Sequence, residues 1–146
     1  MNYTRVVIAA VAATVVDAIY GFAVYATALT SQFAKYPGVY RAAADQMPYM
    51  APLFGGIFVA MLAASYIYAQ GYDGGSGLAE GMRFGIVAGL LVIGYAVIVG
   101  YATMNLGPRH TGLMALAALV EWMIAGVVIG LVYKPSPAAT RRAAGV

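Results

Sequence analysis

The stretch Gly112–Tyr133, GLMALAALVEWMIAGVVIGLVY, is apolar throughout except for one carboxylate near its middle, Glu121, next to the only tryptophan, Trp122. About 20 apolar residues in helical form cross a hydrocarbon layer of about 30 Å, so the stretch has the length of a membrane span. An acid at the centre of such a helix costs about 2.5–3.5 kcal/mol on insertion scales unless it is neutralised or paired. The rest of the chain must therefore accommodate Glu121.

Three more apolar runs share this character. Span one covers residues 6–28, span two 49–68, span three 78–104 and span four 112–133. With 63% hydrophobic and 9% charged residues, the chain is far from the roughly 25% charge of soluble domains. The expected fold is all-α: a single membrane domain of four antiparallel transmembrane helices with both termini on one side, followed by a polar tail over 134–146. A basic start, an apolar run and Ala26-Thr27-Ala28 imitate a signal peptide with a cleavage site. The run is too long for one, and Asp17 interrupts it.

Composition narrows the chemistry. There are no cysteines and one histidine, His110, so thiol catalysis, thiolate metal sites and bis-histidine haem ligation within one chain are excluded. No metal site and no cofactor is expected, and His110 reads as an interfacial residue of the outer hairpin. The net charge of +3 is spread over helix ends and the tail without a basic run, which argues against nucleic acid as a partner. The loop Gln70–Gly77 is glycine-rich but has no lysine and no Walker order, so it is read as a connection rather than a phosphate cradle. Glu80, in the first turn of span three, favours the positive helix end and has Arg83 within reach three residues on. The serines lack a nucleophile elbow, and no catalytic residue is assigned.

Glycine placement suggests how the helices pack. Gly81, Gly85 and Gly89 recur every four residues and line one face of span three, and span four carries Gly126 and Gly130. Such ridges allow close helix approach, inside the bundle or between copies. Gly55 and Gly56 are expected to do the same in span two. Val39–Met47 could form a short surface helix, after a turn at Tyr36-Pro37-Gly38.

The basic residues divide between the two sides. Arg5, Arg83, Lys134, Arg141 and Arg142 collect on the side of the termini, against Lys35, Arg41 and Arg109 on the other, which points to cytoplasmic N- and C-termini. Tyrosines fall in two belts: Tyr3, Tyr66, Tyr68, Tyr72 and Tyr133 near the inner boundary, and Tyr25, Tyr36, Tyr40, Tyr49 and Tyr101 near the outer.

Depth follows from counting at about 1.5 Å per residue. Asp17 lies roughly 18 Å beyond Arg5, Glu121 roughly 20 Å before Lys134, and Tyr95 roughly 18 Å beyond Arg83. Tyr20 is one turn from Asp17. These four residues make up an expected midplane polar cluster. No lysine or arginine lies within a span, so an ion pair has no cation to draw on, and facing acids would require that at least one carry a proton. A hydrogen-bonded clamp between the first and last spans and a proton or cation relay both fit that pattern. Trp122, about 100° round the helix from Glu121, is expected on lipid or a partner.

From Tyr68 to Pro135 the chain resembles a group of small uncharacterised bacterial four-span membrane proteins. The resemblance is carried by Tyr68-Ala69-Gln70-Gly71-Tyr72, Gly77-Leu78-Ala79-Glu80-Gly81-Met82-Arg83-Phe84-Gly85, Val120-Glu121-Trp122 and Gly126–Tyr133. It implies a bacterial inner-membrane protein with four helices and supplies no activity. The functional expectation is a non-catalytic accessory or structural subunit that packs against lipid and against other membrane subunits, or its own copies, in an energy-converting complex. The alternative is a small proton-linked transporter or channel using Asp17 and Glu121.

Overall fold

The computed structural model describes residues 1–133, and the expected tail, with Lys134, Arg141 and Arg142, lies outside that range. Four helical stretches, Tyr3–Ala28, Met47–Gln70, Gly77–Thr103 and Pro108–Tyr133, are long and apolar enough to cross a membrane. No strand occurs among the described residues. The antiparallel four-helix arrangement expected from hydropathy is the observed one.

The first stretch is α1 (Tyr3–Gly21), capped by the Asn2 side chain, which accepts from the Arg5 N–H, and continued by a wider π turn over Phe22–Ala28. After the short α2 (Thr30–Phe33) the chain turns at Tyr36, whose carbonyl accepts from the Val39 N–H. The short helix anticipated over Val39–Met47 is reduced to one tight turn, Ala43–Asp45, preceded by an extended Ala42, and a second tight turn, Met47–Tyr49, carries Pro48 into the next span. The second span is α3 (Met50–Gln70). The third is α4 (Gly77–Val92), a π segment over Ile93–Ile98, and α5 (Val99–Thr103). The last, α6 (Pro108–Tyr133), starts four residues earlier than hydropathy suggests, because Pro108 suits a first helical turn.

The helices do not pack as a symmetrical square. α6 packs most extensively against α4, and α1 packs against both α6 and α3, whereas α3 and α4 scarcely touch. α1 and α6 are thus central. On α1 the buried stripe is Val6, Ala9, Ala10, Ala13 and Asp17, a helical spacing that carries the acid straight into the interface. On α6, Ala125 and Ile129 join the same core, and Glu121 lies one turn before Ala125, about 40° round the helix. Alanines on both sides let the two backbones come close. Met61, Ala64, Tyr68 and Ala69 of α3 complete this core.

The α4–α6 contact is closer still. A Cβ added at Gly77 would collide with the Gly130 carbonyl, at Gly81 with that of Gly126, and at Gly85 with that of Trp122. Each pair steps one turn up α4 and one turn down α6, so the glycine ridges of the two antiparallel helices are in register. Gly89 meets Leu119 and the Cβ of Trp122. These glycines act inside the bundle. Gly55 and Gly56 do not: nothing approaches within 4 Å of a Cβ built there, which corrects their assignment as a packing site. Trp122 is corrected too. It is partly buried against the core, and its backbone carbonyl and Cβ lie against Gly85 and Gly89 of α4.

Candidate functional site

α1 and α6 bring Asp17 and Glu121 together. The two carboxyl groups lie within hydrogen-bonding reach of each other, with Asp17 only 6% exposed and Glu121 partly buried. The Tyr20 hydroxyl donates to the Ala117 carbonyl of α6 at 2.8 Å, one turn from Glu121. Depth counting on two separate helices thus corresponds to contact across the interface, because Asp17 sits on the buried stripe of α1 and Glu121 beside that of α6.

The fourth expected member is elsewhere. Tyr95 is 81% exposed and takes no part in the cluster. It shares the depth of the acids but not their direction: six residues after Gly89, it is about 120° round the axis from the ridge that faces α6. Thr14 is likewise separate, its hydroxyl donating to the Ala10 carbonyl at 2.8 Å.

Tyr25 takes the place assigned to Tyr95. Its hydroxyl donates to Glu121 Oε2 at 2.7 Å, and its ring meets that of Tyr20 edge to face at 6.0 Å. Regular counting puts Tyr25, eight residues after Asp17, about 80° away and nearer the outer boundary. The π turn accommodates one extra residue and returns it to within about 20° of Asp17. The Leu29 N–H bonding back to the Val24 carbonyl at 2.8 Å is a five-residue closure of that turn, and the Thr27 hydroxyl donates to the Phe22 carbonyl at 2.9 Å. Since helical side chains lean toward the N-terminus, the phenol also reaches back down to the depth of the acid. No residue in the sequence announces a π turn, so this assignment required the fold.

A second polar arrangement closes the opposite end of α6. His110, in the first turn of α6, is 2% exposed, and its Nε2 is 2.9 Å from the Tyr40 hydroxyl. The rings of Phe33, Tyr36 and Tyr40 enclose it at 5.0–5.5 Å. The Tyr36 hydroxyl accepts from the Gly107 N–H at 3.1 Å, tying this loop to the start of α6. Burial, with Tyr36 alongside, pushes the Tyr40 phenol above its usual range.

At the end of the bundle where Asn2 meets Tyr133, Glu80 does not pair with Arg83. Its Oε1 accepts from the Gly75 N–H at 2.7 Å and its Oε2 from the Tyr68 hydroxyl at 3.5 Å, while Arg83 is exposed. The carboxylate is held by the glycine-rich loop because backbone N–H groups there need an acceptor and lie nearer than the guanidinium. Tyr133 meets Tyr68 and Tyr72 edge to face beside it, Tyr68 and Tyr72 are tilted against each other, and Arg5 Nη1 donates to the Tyr133 carbonyl at 3.5 Å.

Among the described residues no three metal-ligating side chains converge. What the carboxyl site can do chemically is hold a proton between two helices. No protein family, curated protein or solved structure matches the chain.

Proposed function

We propose that this chain is a non-catalytic integral membrane protein that packs against another membrane protein, as an accessory subunit of an energy-converting complex in a bacterial inner membrane, with its termini in the cytoplasm. The observation that carries this reading is Tyr95. It stands on the face of span three turned away from α6, among the exposed Val87, Leu91 and Ile98, and makes no hydrogen bond to any described residue. A phenol hydroxyl at that depth has no partner in hydrocarbon, whereas a neighbouring helix can offer one. The glycine ridges, being used within the bundle, leave this face for an outside contact. The distribution of basic residues supports the orientation.

The test is a photo-crosslinking phenylalanine analogue placed at Tyr95 in cells. Adducts with one membrane protein of defined mass are expected. Adducts with lipid alone would refute the proposal, and adducts of twice the chain's mass would replace the accessory subunit with a homo-oligomer. In the same cells, Tyr95→Phe is expected to reduce co-purification in mild detergent.

A further inference from the structure

The carboxyl pair is rich in acceptors and poor in donors. Its four carboxyl oxygens meet one hydroxyl donor among the described side chains, that of Tyr25, because the hydroxyls of Tyr20 and Thr14 are directed to backbone carbonyls. Asp17, 6% exposed, accepts no hydrogen bond from any N–H or O–H of the described residues, and its polar neighbour is the Glu121 carboxyl itself. The titratable groups facing the pair are Tyr20 from α1, Tyr25 from the π turn and the two acids. On α3 and α4 the ionisable groups Tyr66, Tyr68, Glu80 and Arg83 lie at the far end of the bundle, and Tyr95 points outward.

Two carboxylates in contact, without a cation, repel each other at close range in a medium that solvates neither. The donor missing from the site is a proton. It completes a carboxyl-to-carboxylate hydrogen bond between α1 and α6, with Glu121 Oε2 also receiving the Tyr25 hydroxyl. That second bond exists because the π turn points Tyr25 at the acid. A π turn is a local alternative to regular helix, differing by one residue of register, and tightening it would swing Tyr25 about 100° away. The carboxyl pair and the turn therefore bias each other.

We propose that Asp17 and Glu121 form a one-proton site whose occupancy is coupled to the π turn at Phe22–Ala28, making the α1–α6 interface a proton-sensitive switch. With the proton in place, the interface is closed and Tyr25 engaged. Release of the proton to water or hydroxide leaves two negative charges in contact, which separates the helices and frees the turn to tighten. The switch requires no path across the membrane and does not depend on the identity of a partner.

Infrared spectroscopy of the protein in lipid bilayers reads the proton directly. A carboxylic C=O band is expected at pH 7, where exposed acids are ionised, falling with alkali by the amplitude of one proton per chain. It should be absent in the double variant Asp17→Asn, Glu121→Gln. The cysteine-free chain allows spin labels at Ala26→Cys and Arg109→Cys, and their separation is expected to change over the same pH interval as the band. Absence of the band at pH 7, or a separation constant while the band titrates, would overturn the proposal. If the double variant does not fold, Tyr25→Phe serves instead. It should shift the frequency of the band and abolish the movement of the labels; a band and a movement indifferent to Tyr25→Phe would refute the coupling.

Discussion

Asp17 and Glu121 are costly where they stand, and each is tolerable because the other is there. Removing one side chain should therefore depend on what replaces it. Asp17→Asn keeps a group that can donate to Glu121 from its amide, and little loss of stability is expected. Asp17→Ala removes the neighbour and leaves the Glu121 carboxyl with Tyr25 alone, at an expected cost of about 1–3 kcal/mol. Denaturant titration in detergent distinguishes the two, and equal losses would mean that volume rather than hydrogen bonding matters at Asp17. The presence and depth of both acids are legible in the sequence, whereas the alanine stripe that aims Asp17 is seen in the fold. Tyr25 is not, because its direction depends on a π turn whose residues, Phe22 to Ala28, are ordinary formers of an apolar helix. Tyr95 failed for the complementary reason: counting along a helix gives height, while contact also needs direction.

At the level of the elements, α4 and α6 are joined by backbone against backbone, and α1 and α6 by alanines plus the polar contacts of Asp17 with Glu121, Tyr20 with the Ala117 carbonyl and Arg5 with the Tyr133 carbonyl. A side chain at Gly81 has nowhere to go but into the Gly126 carbonyl, and one at Gly126 into that of Gly81. Gly81→Ala and Gly126→Ala are expected to lower stability by about 1–3 kcal/mol through overpacking. Gly55→Ala and Gly56→Ala meet open space and should be neutral or stabilising, by up to about 1 kcal/mol from the helical preference of alanine. Thermal denaturation of the four variants in one detergent checks the contrast. The spacing of four residues identified Gly81, Gly85 and Gly89 as a ridge, but an adjacent pair such as Gly55-Gly56 presents no ridge and found no partner. Trp122 shows the same dependence on the neighbour, since its backbone meets Gly85 and its Cβ meets Gly89, a fact about α4 rather than about the neighbourhood of Trp122 in sequence.

At the level of the whole molecule, tyrosines close both ends of the bundle. Beside the glycine-rich loop, burial, then Glu80 and Tyr133, push the Tyr72 phenol above its usual range, as burial and Tyr36 do for Tyr40 at the other end. An unfolded chain ionises these phenols at about pH 10, below the pH at which the folded chain does. Stability from this source is thus complete below pH 10 and declines as the pH rises beyond it. Melting temperatures measured from pH 8 to 11 should fall toward the alkaline end, and less steeply in Tyr72→Phe; a Tyr72→Phe profile parallel to the wild type would show that this end does not contribute.

By itself, the sequence determined that the chain makes four helices of membrane-spanning length, roughly where they begin and end, that two acids lie at a common depth, and that one face of span three is a glycine ridge. All of these depend on composition and periodicity within a single segment, where hydrophobicity and helical geometry are sufficient. The tertiary structure decided which helices touch: α1 and α6 at the centre, α3 and α4 apart, Trp122 inside, His110 enclosed by the rings of a distant loop, and Tyr25 rather than Tyr95 on Glu121. Those depend on the azimuth of each helix about its own axis. Azimuth is set by which small-residue faces fit together and by the extra residue of a π turn, and neither is a property of one segment alone.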